Sequence, residues 1–174
     1  MTTTITGSGG VSQVQDGSIG TADFAANAIT AAKLPSGSVL QVVSTTNGRT
    51  QTGSYFLTTT ADTWPSSTFA LSITPISTTS KIYVQITVGA YMTVGPAALS
   101  IFRGSTNLGG ATFGFCQMHG TTGTWRTEHL QYLDSPNTTS QVQYRLHGRI
   151  DSGTLYLSGD GDMKNTFTLM EIAG

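Results

Sequence analysis

The side chains that could bind a metal ion are few in this 174-residue sequence, and their spacing matches no metal-binding motif. The three histidines, His119, His129 and His147, lack the close pairing of HxH or HExxH sites. The segment Asp160-Gly161-Asp162 lacks the third acidic position and the terminal glutamate of an EF-hand loop. We therefore interpret the histidines as polar strand or loop residues and the acidic segment as a turn. No metal or other cofactor is expected.

Catalytic chemistry would have to come from carboxylates or from the single thiol. Glu128 with Asp134, or Asp151 with Asp160, could in principle form the carboxylate pair of a polysaccharide-degrading glycosidase. Nothing in their spacing favours this, and a domain of this size leaves little room for a long substrate groove. Cys116 lies in an apolar stretch, which favours a small buried hydrophobe over a nucleophile. We expect the protein not to be an enzyme.

Two tryptophans are candidates for binding a sugar. Trp64 and Trp125 each lie beside polar residues, in the segments 62–65 and 124–126. An exposed indole beside hydrogen-bonding groups can stack on the apolar face of a sugar. Packing in the core or against another subunit is the alternative for each tryptophan, so the sequence leaves open whether either of them binds a ligand.

The composition bounds the partners further. Charged residues make up 10% of the chain and the net charge is −1, against about 25% charged residues in an average protein. Without a basic cluster, no nucleic-acid partner is expected. Residues 1–8 lack the features of a signal peptide, and no stretch approaches the roughly 18 apolar residues of a membrane span. We therefore expect synthesis in a cytoplasm and no membrane insertion.

Beyond Val39 the sequence has the pattern of short strands separated by turns. Lys81–Tyr91 alternates cleanly, with Ile82, Val84 and Ile86 on one face. The other predicted strands are Val39–Thr45, Ser54–Thr60, Thr68–Thr74, Ala97–Arg103, Trp125–Asp134, Gln141–Arg149, Thr154–Leu157 and Thr166–Ala173. The predicted turns include Asn47-Gly48, Gly109-Gly110, Ser135-Pro136-Asn137 and Gly159–Asp162. Residues 39–174 are therefore predicted to form an all-β, antiparallel sandwich of jelly-roll type.

The preceding segment contains a ten-residue repeat, because Gly17–Ala25 aligns with Asn27–Pro35 and Gly37–Val39 begins a third copy. Large apolar residues recur within it at every fifth position. They are Val14, Ile19, Phe24, Ile29, Leu34 and Val39. This spacing fits neither the 3.6-residue period of a helix nor the two-residue period of a strand.

One chain cannot bury such an apolar stripe, so the repeat favours three chains packed around a common axis. We predict a homotrimeric shaft over residues 16–38, with Val14, Ile19, Phe24, Ile29 and Leu34 as its packing positions. The alternative is an amphipathic helix over 21–34. Residues 1–15 are rich in Gly and Thr, and we expect them to be extended or disordered until they are fixed by a partner.

Several short motifs carry a resemblance to a known family. They are Asp16-Gly17-Ser18-Ile19, Ala31-Ala32-Lys33-Leu34, Gly37–Val43, Ser72–Pro75, Phe102–Thr106, Tyr132–Pro136 and Leu169–Ile172. In their order and spacing they resemble the small fibre proteins of tailed bacteriophages, especially cyanophages. This resemblance spans nearly the whole chain beyond residue 15.

The resemblance implies a virion location, a homotrimer, attachment of residues 1–15 to a baseplate, tail or capsid protein, and binding of a glycan or protein on the host surface. It transfers no catalytic residue. The expected function is that of a short tail or baseplate fibre made in the host cytoplasm. A capsid-decorating head fibre is one alternative, and a polysaccharide depolymerase is another.

Overall fold

The structure is a computed structural model, and it describes residues 28–30, 33–48, 55–58, 66–119, 123–157 and 163–174. The chain divides into two units, residues 1–34 and 35–174. In the first unit, the backbone N–H of Lys33 donates to the carbonyl of Thr30 at 2.9 Å, and the Lys33 ammonium donates to the carbonyl of Ala28 at 2.8 Å. The repeat that predicts the shaft lies mostly outside the described residues.

The second unit is built from β-strands, and every strand pair that the structure describes is antiparallel. The strands are β1 (Val39–Gly48), β2 (Tyr55–Thr58), β3 (Ser66–Ile73), β4 (Lys81–Arg103), β5 (Thr106–Asn107), β6 (Cys116–Met118), β7 (Arg126–Asp134), β8 (Val142–Leu157) and β9 (Lys164–Ile172). The described part of this unit contains no α-helix, and no helix long and apolar enough to cross a bilayer occurs among the described residues of the chain. The prediction of an all-β antiparallel fold is confirmed.

The long strand β4 belongs to both layers of the fold. Its first half pairs with β9 on one side and β7 on the other, and β9 also pairs with β1. Its second half pairs with β8 on one side and with β5 and β6 on the other, while β8 also pairs with β2 and β3. The strand order is therefore β1-β9-β4-β7 in one layer and β3-β8-β4-β6 in the other, which is the strand order of a jelly roll.

The two halves of β4 fold over one another. Arg103, the last residue of β4, donates a hydrogen bond to Asp134, and Asp134 is paired with Ile82 at the beginning of β4. A straight strand of 23 residues would hold its ends roughly 70 Å apart. The register shifts between Met92 and Ala97 mark the bend that brings them together.

The core lies between the two layers and follows the alternation of the strands. Ile82, Val84 and Ile86 are fully buried, as the sequence predicts. The rings of Phe69 on β3 and Phe167 on β9 meet edge to face at 5.4 Å and so join the two layers. Burial of each such side chain contributes about 1.5–3 kcal/mol before the entropy of ordering is subtracted.

The chain enters this unit beside the last strand, β9. Gly37 donates to the carbonyl of Ala173, and Ala173 donates to the carbonyl of Ser38, each at 2.8 Å. Val39 then pairs with Ile172, which also pairs with Lys81. The point of chain entry and the beginning of β4 therefore lie at one end of the sandwich. The bend of β4 lies about ten residues further along an extended strand, roughly 30 Å away at the opposite end.

Some predicted boundaries are wrong. Lys81–Tyr91 and Ala97–Arg103 are one continuous strand, because pairing with β8 resumes after the bend, and the strands predicted at 141–149 and 154–157 are likewise one. The turn predicted at Asn47-Gly48 is part of β1, where these residues pair with β9. The short strands β5 and β6 were not predicted, since two or three residues are too few to show a period.

Candidate functional site

The predicted shaft positions are described only in part. Val14, Ile19 and Phe24 lie outside the described residues, as do residues 1–15 as a whole. Ile29 is 61% exposed and Leu34 is 37% exposed in the single chain. Both apolar side chains are thus partly exposed in the single chain, while the trimer itself stays a prediction.

Of the two tryptophans, Trp64 lies outside the described residues. Trp125 is half-buried, and its ring lies 5.3 Å from that of Tyr91. Tyr91 in turn meets Tyr156 edge to face at 5.5 Å, because these two tyrosines are paired across β4 and β8. The three rings form a partly exposed aromatic cluster near the bend of β4, at the end of the sandwich opposite the chain entry.

The first carboxylate pair considered for glycosidase chemistry is not brought together. Glu128 and Asp134 both lie on β7, six residues apart, which separates them by about 20 Å along an extended strand. Glycosidases require their two carboxyl groups about 5–9.5 Å apart. Asp160, the partner considered for Asp151, lies outside the described residues, as does the acidic segment 160–162.

Asp134 instead holds the two layers together. Arg103 Nη1 donates to both carboxylate oxygens at 2.9 and 2.8 Å, and the buried Tyr144 hydroxyl donates to Oδ2 at 2.7 Å. Burial of Tyr144 raises the pKa of its hydroxyl well above the usual range, and the hydrogen bond to Asp134 acts in the same direction. The arrangement is typical of a structural network rather than of a proton-transfer site.

A second carboxylate, Glu171, is fully buried and fixes the segment between β3 and β4. It accepts a hydrogen bond from the backbone N–H of Ile76 at 2.7 Å and from the Gln41 amide at 2.5 Å. Burial raises the pKa of Glu171, but the nearby Ser80 hydroxyl, the Gln41 amide and the backbone N–H groups of Ile76 and Ser77 outweigh burial and lower it. The Ser80 hydroxyl oxygen is buried, and its contact with Glu171 does not meet the distance and angle limits of a hydrogen bond.

The histidines and the thiol occupy unrelated places. His119 and His129 are exposed, and His129 lies 3.0 Å from the Thr87 hydroxyl, whereas His147 is buried and stacked on Phe102. Within the described ranges no group of three metal-ligating side chains comes together. Burial, aided by the charge of Glu128, raises the pKa of Cys116 to about 11, so this thiol is protonated at neutral pH.

The strongest candidate for ligand binding is a shallow groove on the outer face of the second layer. Its floor is the small side chain of Ala98, which is paired with Gln117 on β6 and with Arg149 on β8. Phe113 and Asp151 complete the lining, together with Pro96, Ala97 and Thr112. The groove contains about 170 Å³ of space, part of it open to solvent. Since Ala98 lies just beyond the bend, the groove lies toward the end opposite the chain entry.

A tightly held loop positions Phe113 in this groove. Gly110 and Gly114 exchange backbone hydrogen bonds of 3.0 and 2.9 Å, and Gly114 adopts a positive φ of 57° that suits glycine. Gly109 is packed so closely that an added Cβ would lie 2.8 Å from the Gly114 carbonyl carbon. Phe113 nevertheless remains 54% exposed. The loop thus presents an apolar ring to solvent in a fixed position.

The charges of the groove are unevenly exposed. Arg149 Nη1 donates to the carbonyl of Thr112 at 2.9 Å, and Nη2 donates to Asp151 Oδ1 at 3.1 Å. The Arg149 side chain is only 9% exposed, while that of Asp151 is 47% exposed. The guanidinium therefore anchors the loop, and the accessible charge in the groove is the acceptor carboxylate of Asp151.

The sequence does not single out this site. Phe113 lies in a stretch for which the family resemblance implies little, and Gln117 and Arg149 are placed on either side of Ala98 only through the register of two different strands. The one available signal is an aromatic residue enclosed by glycines at 109, 110 and 114, which is typical of a tight loop with an exposed tip. Comparison with protein-family models and with curated proteins found no match.

Proposed function

We propose that this protein is a non-enzymatic fibre of a bacteriophage virion, trimeric through its N-terminal repeat, that attaches the particle to a glycan on the host surface. Residues 1–15 contact a tail, baseplate or capsid protein in this proposal. Residues 39–174 form the domain that meets the host.

The observation that carries the proposal is that the candidate binding surfaces and the point of chain entry lie at opposite ends of the domain. The chain enters beside Ala173 at one end of the sandwich, and both the aromatic cluster of Trp125 and the groove of Phe113 lie toward the other end. A fibre that is anchored through its N-terminus needs its binding surface at the end away from the anchor. The low charge of the chain suits contact with neutral hydroxyl-rich surfaces, since it provides no field for a polyanion.

The exposure of Ile29 and Leu34 supports the trimeric part of the proposal, because these two members of the predicted stripe are partly exposed in the single chain. The contacts of Asp134 argue against the depolymerase alternative, because its carboxylate is bound by Arg103 and Tyr144 and is not paired with Glu128.

Three experiments test the proposal. Immunogold labelling of virions with an antibody to the β-domain should place gold on the tail or baseplate, and gold confined to the head would favour the head-fibre alternative. Purified protein should also compete with phage for adsorption to host cells. Release of oligosaccharides from host polysaccharide by the purified protein would contradict the non-enzymatic assignment.

A further inference from the structure

We propose that the groove lined by Phe113, Gln117, Arg149 and Asp151 binds a single neutral pyranose ring, with the ring stacked on Phe113. This inference rests on the proposed host attachment and names the site and the ligand class.

The groove is shallow and open. Its space of about 170 Å³ includes the open solvent above it, so a ligand would lie against the surface and not inside an enclosed cavity. One sugar ring can lie against such a depression, and the rest of a glycan chain can extend into solvent because the groove is open. The floor at Ala98 carries only a methyl group, so the depression exists because larger side chains flank it on β6 and β8.

The chemistry of the lining suits a saccharide. The exposed face of Phe113 can pack against the C–H face of a pyranose. This contact is stronger when the phenyl ring is already held in place, because less entropy is then lost on binding. Asp151 accepts hydrogen bonds from hydroxyls, and the exposed Gln117 amide both donates and accepts. Planar polar groups of this kind can contact two neighbouring hydroxyls at once.

The exposure of the charges favours a neutral sugar over an acidic one. Arg149 is turned inward and its guanidinium is bound by Asp151 and the Thr112 carbonyl. A uronate or sialate carboxylate would therefore meet the exposed Asp151 carboxylate before it met Arg149, and like charges repel.

The test uses saturation-transfer-difference NMR on the full-length protein with the methyl glycosides of glucose, galactose and mannose as probes, and with glucuronate and galacturonate as acidic probes. At least one neutral glycoside should receive saturation, and neither uronate should. Phe113→Ala should weaken the neutral response roughly tenfold, as loss of one aromatic contact predicts. Ile76→Ala removes an equally exposed apolar side chain, 54% exposed, outside the groove and should leave the response unchanged.

Asp151→Asn gives a second, independent readout. The asparagine oxygen can still accept from Arg149, but the groove loses its exposed negative charge, so the response of the uronates should rise relative to that of the neutral glycosides. Thermal melts of each variant should match the wild type, because all of the substituted side chains are at least half exposed or nearly so.

The outcomes separate the site from the function. If the wild type binds a neutral glycoside and Phe113→Ala binds it equally well, the groove is the wrong site, although host attachment stands. If the protein competes with phage for host cells yet no neutral glycoside responds, the ligand class is wrong. If the protein does not compete for host cells, the proposed function itself fails, whatever the glycosides show.

Discussion

Asp134 offers a sharp test of how the two layers of the sandwich are held together. Replacing Asp134 by Ala removes the acceptor for Arg103 and for Tyr144 at once. The Tyr144 hydroxyl is fully buried and would be left without this partner, at a cost of about 1–3 kcal/mol. The Arg103 side chain is 28% exposed and can regain water, so the loss of its ion pair with Asp134 adds only about 1 kcal/mol. Asp134→Ala should therefore destabilise the domain by about 3 kcal/mol.

Two further variants separate the contributions. Asp134→Asn keeps an oxygen for Tyr144 and loses the charge, so it should cost about 1–2 kcal/mol. Tyr144→Phe removes the hydroxyl and leaves the pair with Arg103, so it should cost about 1 kcal/mol. The double variant Asp134→Ala, Tyr144→Phe should be no less stable than Asp134→Ala alone, because the hydroxyl that lacks a partner is gone.

Urea unfolding followed by tryptophan fluorescence measures these differences in stability. In thermal melts, the melting temperature of Asp134→Ala should be about 10 °C below that of the wild type. Glu128→Ala is the matched control on the same strand, where the carboxylate lies 3.8 Å from Arg126 in a partly exposed pair, and it should cost less than about 1 kcal/mol. The reasoning is refuted if Asp134→Ala is as mild as Glu128→Ala, or if the effects of Asp134→Ala and Tyr144→Phe simply add.

Three other predictions concern pH, the thiol and the shaft. Because the pKa of Glu171 is lower in the folded state, its contribution to stability is present above the unfolded pKa and is lost as the pH falls through the folded pKa; Glu171→Gln should flatten the acid limb of a stability-versus-pH curve, and an unchanged limb would contradict this. Cys116, which is half-buried and has its pKa raised from 9.0 to about 11, should react with DTNB at pH 8 about 100-fold more slowly than a free thiol, and a rate near that of free cysteine would contradict this raised pKa. Ile29→Asp should give monomers or a frayed shaft in light scattering, because it places three carboxylates around one dry axis, whereas Thr30→Asp should stay trimeric; equal behaviour of the two variants, or a monomeric wild type, would show that the stripe is not an interface.

The strands of the core could be predicted because their pattern is local. Alternation from Lys81 onward identifies the buried face, and the structure places Ile82, Val84 and Ile86 there. The continuity of β4 could not be predicted, since Gly95-Pro96 reads as the end of a strand. Gly95 instead adopts a φ of 72° within a bulge, and pairing with β8 resumes at Ala97.

The candidate groove could not be predicted for a different reason. Its walls come from residues that are 32 positions apart in the sequence, Gln117 and Arg149, and they are brought together only because both pair with Ala98. Register between distant strands is set by the packing of the whole sandwich, which no short window of sequence records. The tryptophans, in contrast, are visible in the sequence, yet Trp125 has one contact face taken by Tyr91.

The pairing of β1 with β9 has a mechanical consequence. Nine residue pairs, from Val39 with Ile172 to Gly48 with Lys164, join the strand that enters the domain to its neighbour. A pull applied at residue 35 along β1, against a load held at the far end of the sandwich, acts parallel to the strands. The backbone hydrogen bonds between β1 and β9 are then strained in shear, so they must rupture together rather than open one after another like a zipper. A domain built in this way resists tension along its long axis far better than tension applied across its edge, as the proposed attachment role would require.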